Sequence, residues 1–146
     1  MLSRVLTAVN KAFGGPVILR VSATDHAPGG NTIEDIINVI KHVSPLGVDL
    51  INVSSGGVVD ASFYQGTQIK MAEEIKKAIS IPIMAGGLLE APTHMEEIIS
   101  NQRADMVYVG RALLRNPFMA LRAAFELKQD VQWPYSHEAG RYIWGS

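Results

Sequence analysis

The sequence predicts an α/β fold built from parallel (β/α) units that form half of a (β/α)8 barrel. Apolar runs typical of buried parallel strands alternate with segments of helical periodicity. Strand starts recur at intervals of about 23 to 33 residues, which is the spacing of a right-handed βαβ series. Glycines close several of these strands. We expect the strands at Pro16–Thr24, Val48–Gly56, Ile81–Gly87 and Ala104–Arg111.

The segments between the strands have an apolar face at helical spacing. In the first of them Ile33, Ile36 and Ile40 share one face, Asn31 or Thr32 is the expected cap, and Asp35 stands where a capping carboxylate belongs. The last helix is expected to start with Asn116 as cap and Pro117 in its first turn. Helices are therefore expected over 32–43, 68–79, 91–100 and 116–128, and an outer helix without a cap of its own, carrying Leu2, Leu6 and Val9, precedes the first strand.

Composition limits the class of protein. The chain has 146 residues, 47% of them hydrophobic, which indicates a domain with a core, expected over 1–128 and followed by a divergent tail over 129–146. A formal charge of −1 without a dense basic run argues against nucleic-acid or anionic-membrane partners. The absence of cysteine and the scattered histidines argue against disulfides and a metal site, and we expect a cytoplasmic location.

The positions of the glycines decide between two α/β architectures. An open doubly wound sheet of flavodoxin type would carry a glycine-rich phosphate loop after the first strand, where the sequence has none. The glycines come late instead, in "AGG" at Ala85–Gly87 and "VGR" at Val109–Arg111. Because the loops after the last two strands of a barrel commonly cradle phosphate, we expect the C-terminal half of a TIM barrel.

Two strand ends carry residues suited to a phosphate group. Gly86 and Gly87 allow a phosphate oxygen to approach backbone amides without a Cβ in the way. Arg111 follows Gly110, and the forked donors of a guanidinium hold phosphate or stack on a planar ring. Either glycine motif alone is often only a turn device, but the two together predict a phosphate site.

Arg20 interrupts the apolar strand "VILRVSA", which the repeat pattern buries. A buried charge needs a partner. One interpretation is an ion pair with Asp49 or another carboxylate on a strand; the other aims Arg20 into the barrel at an electron-rich cofactor group.

The strings "PVILRVSATD", "GVDLINVSSGG" and "IPIMAGGLLEAPTHMEEIISNQRADMVYVGRALLRNPF" resemble the C-terminal half of the old yellow enzyme family, in particular its bacterial NADPH dehydrogenase branch. The resemblance implies an FMN-dependent NAD(P)H oxidoreductase that passes hydride from NADPH or NADH to flavin and then to an activated alkene or similar small-molecule acceptor. It places Arg20 at the pyrimidine edge of the flavin, and it assigns the FMN phosphate to Ala85, Gly86 and Gly87 with Gly110 and Arg111.

The resemblance also touches residues with weaker assignments. Ser54, Ser55 and Gly56 match the family's "SSG" near flavin and substrate, although a hydroxyl pair at a strand end can equally cap a turn. Gln68 matches a family glutamine for which packing is at least as good an interpretation. Arg141 is the candidate for an arginine that some members insert into a neighbouring subunit's active site, with a plain surface residue as the alternative.

The family's first four (β/α) units, with the catalytic residues of that half, have no counterpart in this sequence. We therefore expect a truncated or deliberately cut half-barrel, in which no catalytic residue is identified. Its exposed edges and inner face predict self-association or pairing with a separate N-terminal half. The alternative function is a non-catalytic half-barrel that binds FMN or phosphate weakly, or only folds and oligomerises; a dihydroorotate-dehydrogenase-like barrel is disfavoured by "GRALLRNP".

Overall fold

A computed structural model of the chain describes residues 1–56 and 64–143. Its centre is a parallel four-stranded sheet in the order β1-β2-β3-β4, which confirms the predicted α/β class. The strands are β1 (Ile18–Ser22), β2 (Leu50–Ser54), β3 (Ile83–Ala85) and β4 (Met106–Val107). The helices are α1 (Leu2–Phe13), α2 (Ile33–Val43), α3 (Ile69–Ala78), α4 (Pro92–Ser100), α5 (Arg111–Arg115) and α6 (Met119–Glu126), with 3-10 segments at Ser44–Leu46 and Tyr135–Ile143.

Helix α2 shows how the local sequence fixes an element. Thr32 is the N-cap: its hydroxyl accepts from the Asp35 amide at 3.2 Å, and the Asp35 carboxylate accepts from the Thr32 amide at 2.9 Å. This capping box satisfies two amides that the first turn leaves without partners, and it decides for Thr32 over Asn31. Helix α1 has no side-chain cap, as predicted.

The core lies between one face of the sheet and the helices. Ile51, Val53 and Ile83 point to this side and are fully buried, where they meet Ile40 of α2 and Ile75 of α3. Each such side chain contributes about 2 kcal/mol by leaving water. The helix-facing side therefore supplies most of the stability of the fold.

The other face of the sheet is open. Arg20, Asn52, Met84 and Met106 stand in one row across all four strands. Ile18 is 57% exposed and Met106 is 50% exposed on this face. The expectation that the repeat pattern buries Arg20 is therefore wrong for this chain, because nothing among the described residues covers the inner face at β1.

Several predicted boundaries need correction. The third and fourth strands are much shorter than predicted. The turn after α4 places Gln102 in the left-handed region at φ 57°. Helix α5 was not predicted, and α6 begins at Met119 instead of directly after Asn116.

Asn116 nevertheless shapes the break between α5 and α6. Its Oδ1 accepts from the Phe118 amide at 3.1 Å, and its carbonyl accepts from the Met119 amide at the same distance. Of the predicted tail over 129–146, residues 144–146 lie outside the described residues. No helix in the described ranges is long and apolar enough to cross a membrane.

Candidate functional site

A cavity of about 540 Å³ lies at the carboxyl ends of β3 and β4. Four of the residues singled out in the sequence line it together: Arg20, Gly87, Gly110 and Arg111. The ends of parallel strands meet at one edge of a sheet, so residues far apart in sequence converge there. Gln68 and Ser54 line the same cavity.

Arg20 is held by neutral partners. Its Nη1 donates to Asn52 Oδ1 at 3.0 Å, and its Nη2 donates to Ser54 Oγ at 2.8 Å. The guanidinium also lies over the Tyr108 ring, 5.4 Å from the centroid, and such a contact between a cation and an aromatic face is attractive. The predicted alternative of an ion pair with Asp49 is wrong, since the Asp49 carboxylate accepts from the Val17 amide instead. Arg20 is therefore fixed in place with its charge uncompensated.

Arg111 is the second cation of the cavity. Its guanidinium is exposed and makes no hydrogen bond or ion pair with any described residue. The cavity also contains one carboxylate, Glu90, which is paired with Arg115 of α5. Two arginines without carboxylate partners give the cavity a positive potential, which attracts anions.

The glycines of the cavity play different structural parts. Gly87 has φ +101°, a backbone conformation that side chains with a Cβ rarely adopt, so the fold itself favours glycine there; a Cβ would also lie 1.8 Å from Oε1 at the end of the Gln68 side chain, which would have to move. Its carbonyl accepts from the Gly66 amide at 2.7 Å. At Gly110 a Cβ would meet nothing within 4 Å. Gly110 thus leaves open space that a ligand can use.

The remaining predicted residues lie beside the cavity or away from it. Ser55, Ala85 and Gly86 are buried and do not line it, and a Cβ on Gly86 would lie 2.6 Å from the Tyr108 carbonyl oxygen. Gly56 has φ +79° and ends the first described range. Arg141 pairs with Asp130 and Glu138 and lines a separate small cavity.

Two buried polar atoms near the cavity lack partners within the described ranges. Gln68 is 7% exposed and its Oε1 has no hydrogen bond; Ser55 is 8% exposed and its Oγ has none. Buried polar atoms are normally satisfied by protein, water or ligand. The described residues contain no group of three or more side chains that could hold a metal ion.

Sequence reasoning did not identify Tyr108 or Glu90 as parts of this site. Tyr108 was one letter of an apolar strand, yet it carries the ring beneath Arg20 and donates to the Val53 carbonyl at 3.2 Å. A hydroxyl in such a run could have marked it, because a half-buried tyrosine usually finds a partner. Glu90 carried no signal, since a lone acid in a loop is normally solvated.

Comparison with known proteins identifies the family. A sequence model of the NADH:flavin oxidoreductase / NADH oxidase family matches residues 1–130. The NADPH dehydrogenase of Geobacillus thermodenitrificans is 41% identical over 141 residues, which are 95% of this chain and 42% of that protein. The NADPH dehydrogenase of Listeria monocytogenes serotype 4a is 43% identical over 136 residues, which are 92% of this chain and 40% of that protein. The chain belongs to the NADH:flavin oxidoreductase / NADH oxidase family, which confirms the resemblance drawn from its motifs.

Two solved structures share the fold. Histamine dehydrogenase from Rhizobium sp. 4-9 superposes with a TM-score of 0.74 at 18% identity, over 88% of this chain and 19% of that one. The 6-hydroxypseudooxynicotine amine oxidase from Pseudomonas geniculata N1 has the same TM-score at 24% identity, over 86% of this chain and 20% of that one. The chain spans about two fifths of the length of the curated relatives it matches.

Proposed function

We propose that this chain binds FMN and forms the C-terminal part of an FMN-dependent NADPH oxidoreductase of old yellow enzyme type. The observation that carries the proposal is the pair of uncompensated guanidiniums, Arg20 and Arg111, in one cavity with Gly87 and Gly110. A phosphate dianion suits this arrangement, because arginine binds phosphate through two parallel N–H donors and glycine lets the backbone approach it closely.

The residues present fit FMN at both of its ends. Gly87, Gly110 and Arg111 would hold the phosphate. Gly86, which packs closely against Tyr108, would keep the ends of β3 and β4 close together. Arg20 would face the flavin ring, where a fixed positive charge stabilises negative charge on the reduced cofactor. When bound, FMN supplies hydride transfer between NADPH and an acceptor, for which an activated alkene is our candidate.

Ser55, Gly56 and Ala85 would support this site from beneath the cavity edge, since the first and last of them are buried next to it. For Arg141 we keep the prediction that it reaches a neighbouring subunit. Its pairing with Asp130 and Glu138 would then have to be exchanged for contacts with that subunit. We place the whole enzyme in the cytoplasm.

We also propose that the open inner face is covered by further (β/α) units, from a second copy or from a separate N-terminal half. Exposed Ile18 and Met106, with β1 and β4 at the sheet edges, favour such a partner. Light scattering of the purified chain should therefore give a mass above that of the monomer. A single monomer peak at micromolar concentration would contradict self-association.

Titration with FMN and with riboflavin, followed by flavin fluorescence, tests the FMN proposal. We expect FMN to bind at least about tenfold more tightly than riboflavin, since a charge-assisted hydrogen bond contributes about 1.5–3 kcal/mol and riboflavin has no phosphate. Arg111→Gln should remove most of this difference while leaving the unfolding free energy unchanged, because Arg111 has no partner among the described residues.

Arg4→Gln is the matched control, since Arg4 is exposed on α1 and does not line the cavity. Equal affinity for the two flavins, or no binding of either, would contradict the proposal. Loss of the yellow absorbance on adding NADPH to the flavin complex would extend the proposal from binding to reduction of the flavin, and its return on adding an acceptor would extend it to turnover.

A further inference from the structure

The loop after β3 and helix α5 bring one carboxylate and two arginines to the neighbourhood of the cavity. Glu90 lies in the loop, and Arg111 and Arg115 lie one turn apart on α5, so both arginines project from the same side of that helix. Glu90 and Arg111 line the same cavity of about 540 Å³. Glu90 is therefore the carboxylate that shares this cavity with Arg111.

The structure pairs Glu90 with Arg115 and leaves Arg111 without a partner among the described residues. Arg115 does not line the larger cavity; together with Glu90 it lines a neighbouring one of about 280 Å³. Glu90 therefore borders both cavities, and Arg115, which compensates its charge, lines only the smaller one.

We propose that Arg115 is a positioning residue for anion binding: it holds the Glu90 carboxylate, and so keeps Arg111 available for the phosphate of the ligand. Without Arg115, the Glu90 carboxylate would have Arg111 as its nearest cationic partner on α5. It would then compete with a bound phosphate for the same guanidinium and repel it. This inference rests on the proposed function, because the phosphate is that of FMN.

The two arginines carry the same charge but have different roles: Arg111 binds the phosphate, and Arg115 holds the Glu90 carboxylate. An exposed ion pair such as Glu90–Arg115 contributes little to folding stability, about 0–1 kcal/mol. Loss of the pair should affect phosphate binding more than folding, because it would leave the Glu90 carboxylate uncompensated and close to a dianion. We therefore expect substitution of Arg115 to change binding more than stability.

Flavin fluorescence titrations of the whole chain with FMN test this inference. Arg115→Gln should weaken FMN binding about fivefold, a fall expected from one added unpaired charge close to the phosphate. Glu90→Gln should bind FMN no more weakly than the parent. The double variant Glu90→Gln/Arg115→Gln should return to within about twofold of the parent, because the competing carboxylate is gone.

Two readouts separate positioning from a structural role. The Arg115→Gln defect should shrink at high salt, where charge interactions at the surface are screened, and it should be absent for riboflavin, which has no phosphate. Arg122→Gln is the control: Arg122 lines the same neighbouring cavity but pairs with Glu126 on its own helix, so FMN affinity should stay within about twofold.

The outcomes separate this inference from the proposal on which it rests. Unchanged FMN binding by Arg115→Gln would overturn the inference while leaving FMN binding intact. A double variant as weak as Arg115→Gln alone would also overturn it, since Arg115 would then contact the ligand directly. Failure of the parent chain to bind FMN would overturn both.

Discussion

The two ends of the sheet use charged side chains in opposite ways. At the amino end, Asp49 precedes β2 and its carboxylate accepts from the Val17 amide at 2.7 Å, while its own amide donates to the Val17 carbonyl at 2.9 Å. Asp105 precedes β4 and repeats both contacts with Ile83, at 2.8 Å each. Each aspartate therefore joins the start of its strand to the preceding strand at two points.

At the carboxyl end the charges face a cavity. Arg20 has only neutral hydrogen-bond partners, and Arg111 has none within the described ranges. The amino-end carboxylates are satisfied within the chain, by backbone amides and, for Asp105, also by Lys76, whereas the guanidiniums of Arg20 and Arg111 have donors to spare. This is the division expected of a barrel, in which one face stabilises the fold and the other binds ligand.

The repeated aspartate contact also divides the sheet into two similar halves. The pairs β1–β2 and β3–β4 each have an aspartate at the same position relative to its neighbour strand. The halves differ at their carboxyl ends: Arg20 projects from the middle of β1, while the glycines stand after β3 and β4. The two strand pairs therefore share the same aspartate contact at one end and present different residues to the cavity at the other.

Substitution of Gly87 should give the largest loss of stability among our predictions. It tests whether the carboxyl end of the sheet, like the amino end, also contributes to folding. Gly87→Ala introduces a Cβ 1.8 Å from Gln68 Oε1 at φ +101°. We expect a loss of about 2 kcal/mol in the free energy of unfolding, mainly from backbone strain at this positive φ, because the Gln68 side chain end can move without losing a hydrogen bond. Chemical denaturation monitored by circular dichroism measures it.

Gly110→Ala is the matched control for Gly87→Ala. A Cβ at Gly110 meets nothing within 4 Å, so the cost should be at most about 1 kcal/mol, the price of alanine at a helix N-cap. Equal losses in the two variants would show that neither the positive φ nor the Gln68 contact explains the glycine at position 87.

Sequence patterns predicted the parts of this fold that depend on local chemistry. The four parallel strands follow from apolar runs, and the start of α2 follows from Thr32 and Asp35. The same reasoning brought Gly87, Gly110 and Arg111 to one edge, because strand ends in a parallel sheet must converge, and Arg20 reaches their cavity from the middle of β1.

The features that could not be predicted depend on tertiary contacts. Gly87 was expected to be glycine for a ligand, but its φ of +101° and the side chain of Gln68, nineteen positions away in sequence, already disfavour a Cβ there. Likewise nothing in the local sequence states that Glu90 pairs with Arg115 and not with Arg111. Helix α5 was missed because Arg111–Arg115 directly follows a predicted strand, and α6 begins later than predicted because Asn116 and Pro117 also suit the first turn of a helix.

Substitution of Asp105 should give a smaller loss of stability, and it tests whether the amino-end carboxylates stabilise the fold. Burial disfavours its charged form, but hydrogen bonds from Lys76 and the Ile83 amide outweigh this and hold the pKa of Asp105 below its ordinary value of 3.8. Asp105→Asn removes the ion pair with Lys76, so we expect a loss of about 1 kcal/mol at neutral pH, a modest value because the side chain is partly exposed.

The pH dependence of this loss follows from the direction of the pKa shift. Because the folded-state pKa is depressed, the carboxylate stabilises the fold above pH 3.8, and this stabilisation disappears as the pH falls through the folded-state value. Parent and Asp105→Asn should therefore differ at neutral pH and converge in acid when unfolded by urea.

Asp49→Asn is the control. Its amide oxygen can still accept from the Val17 amide and no ion pair with a lysine is lost, so the loss of unfolding free energy should be a few tenths of a kcal/mol. A difference between parent and Asp105→Asn that persists unchanged in acid would assign the effect to packing and not to charge.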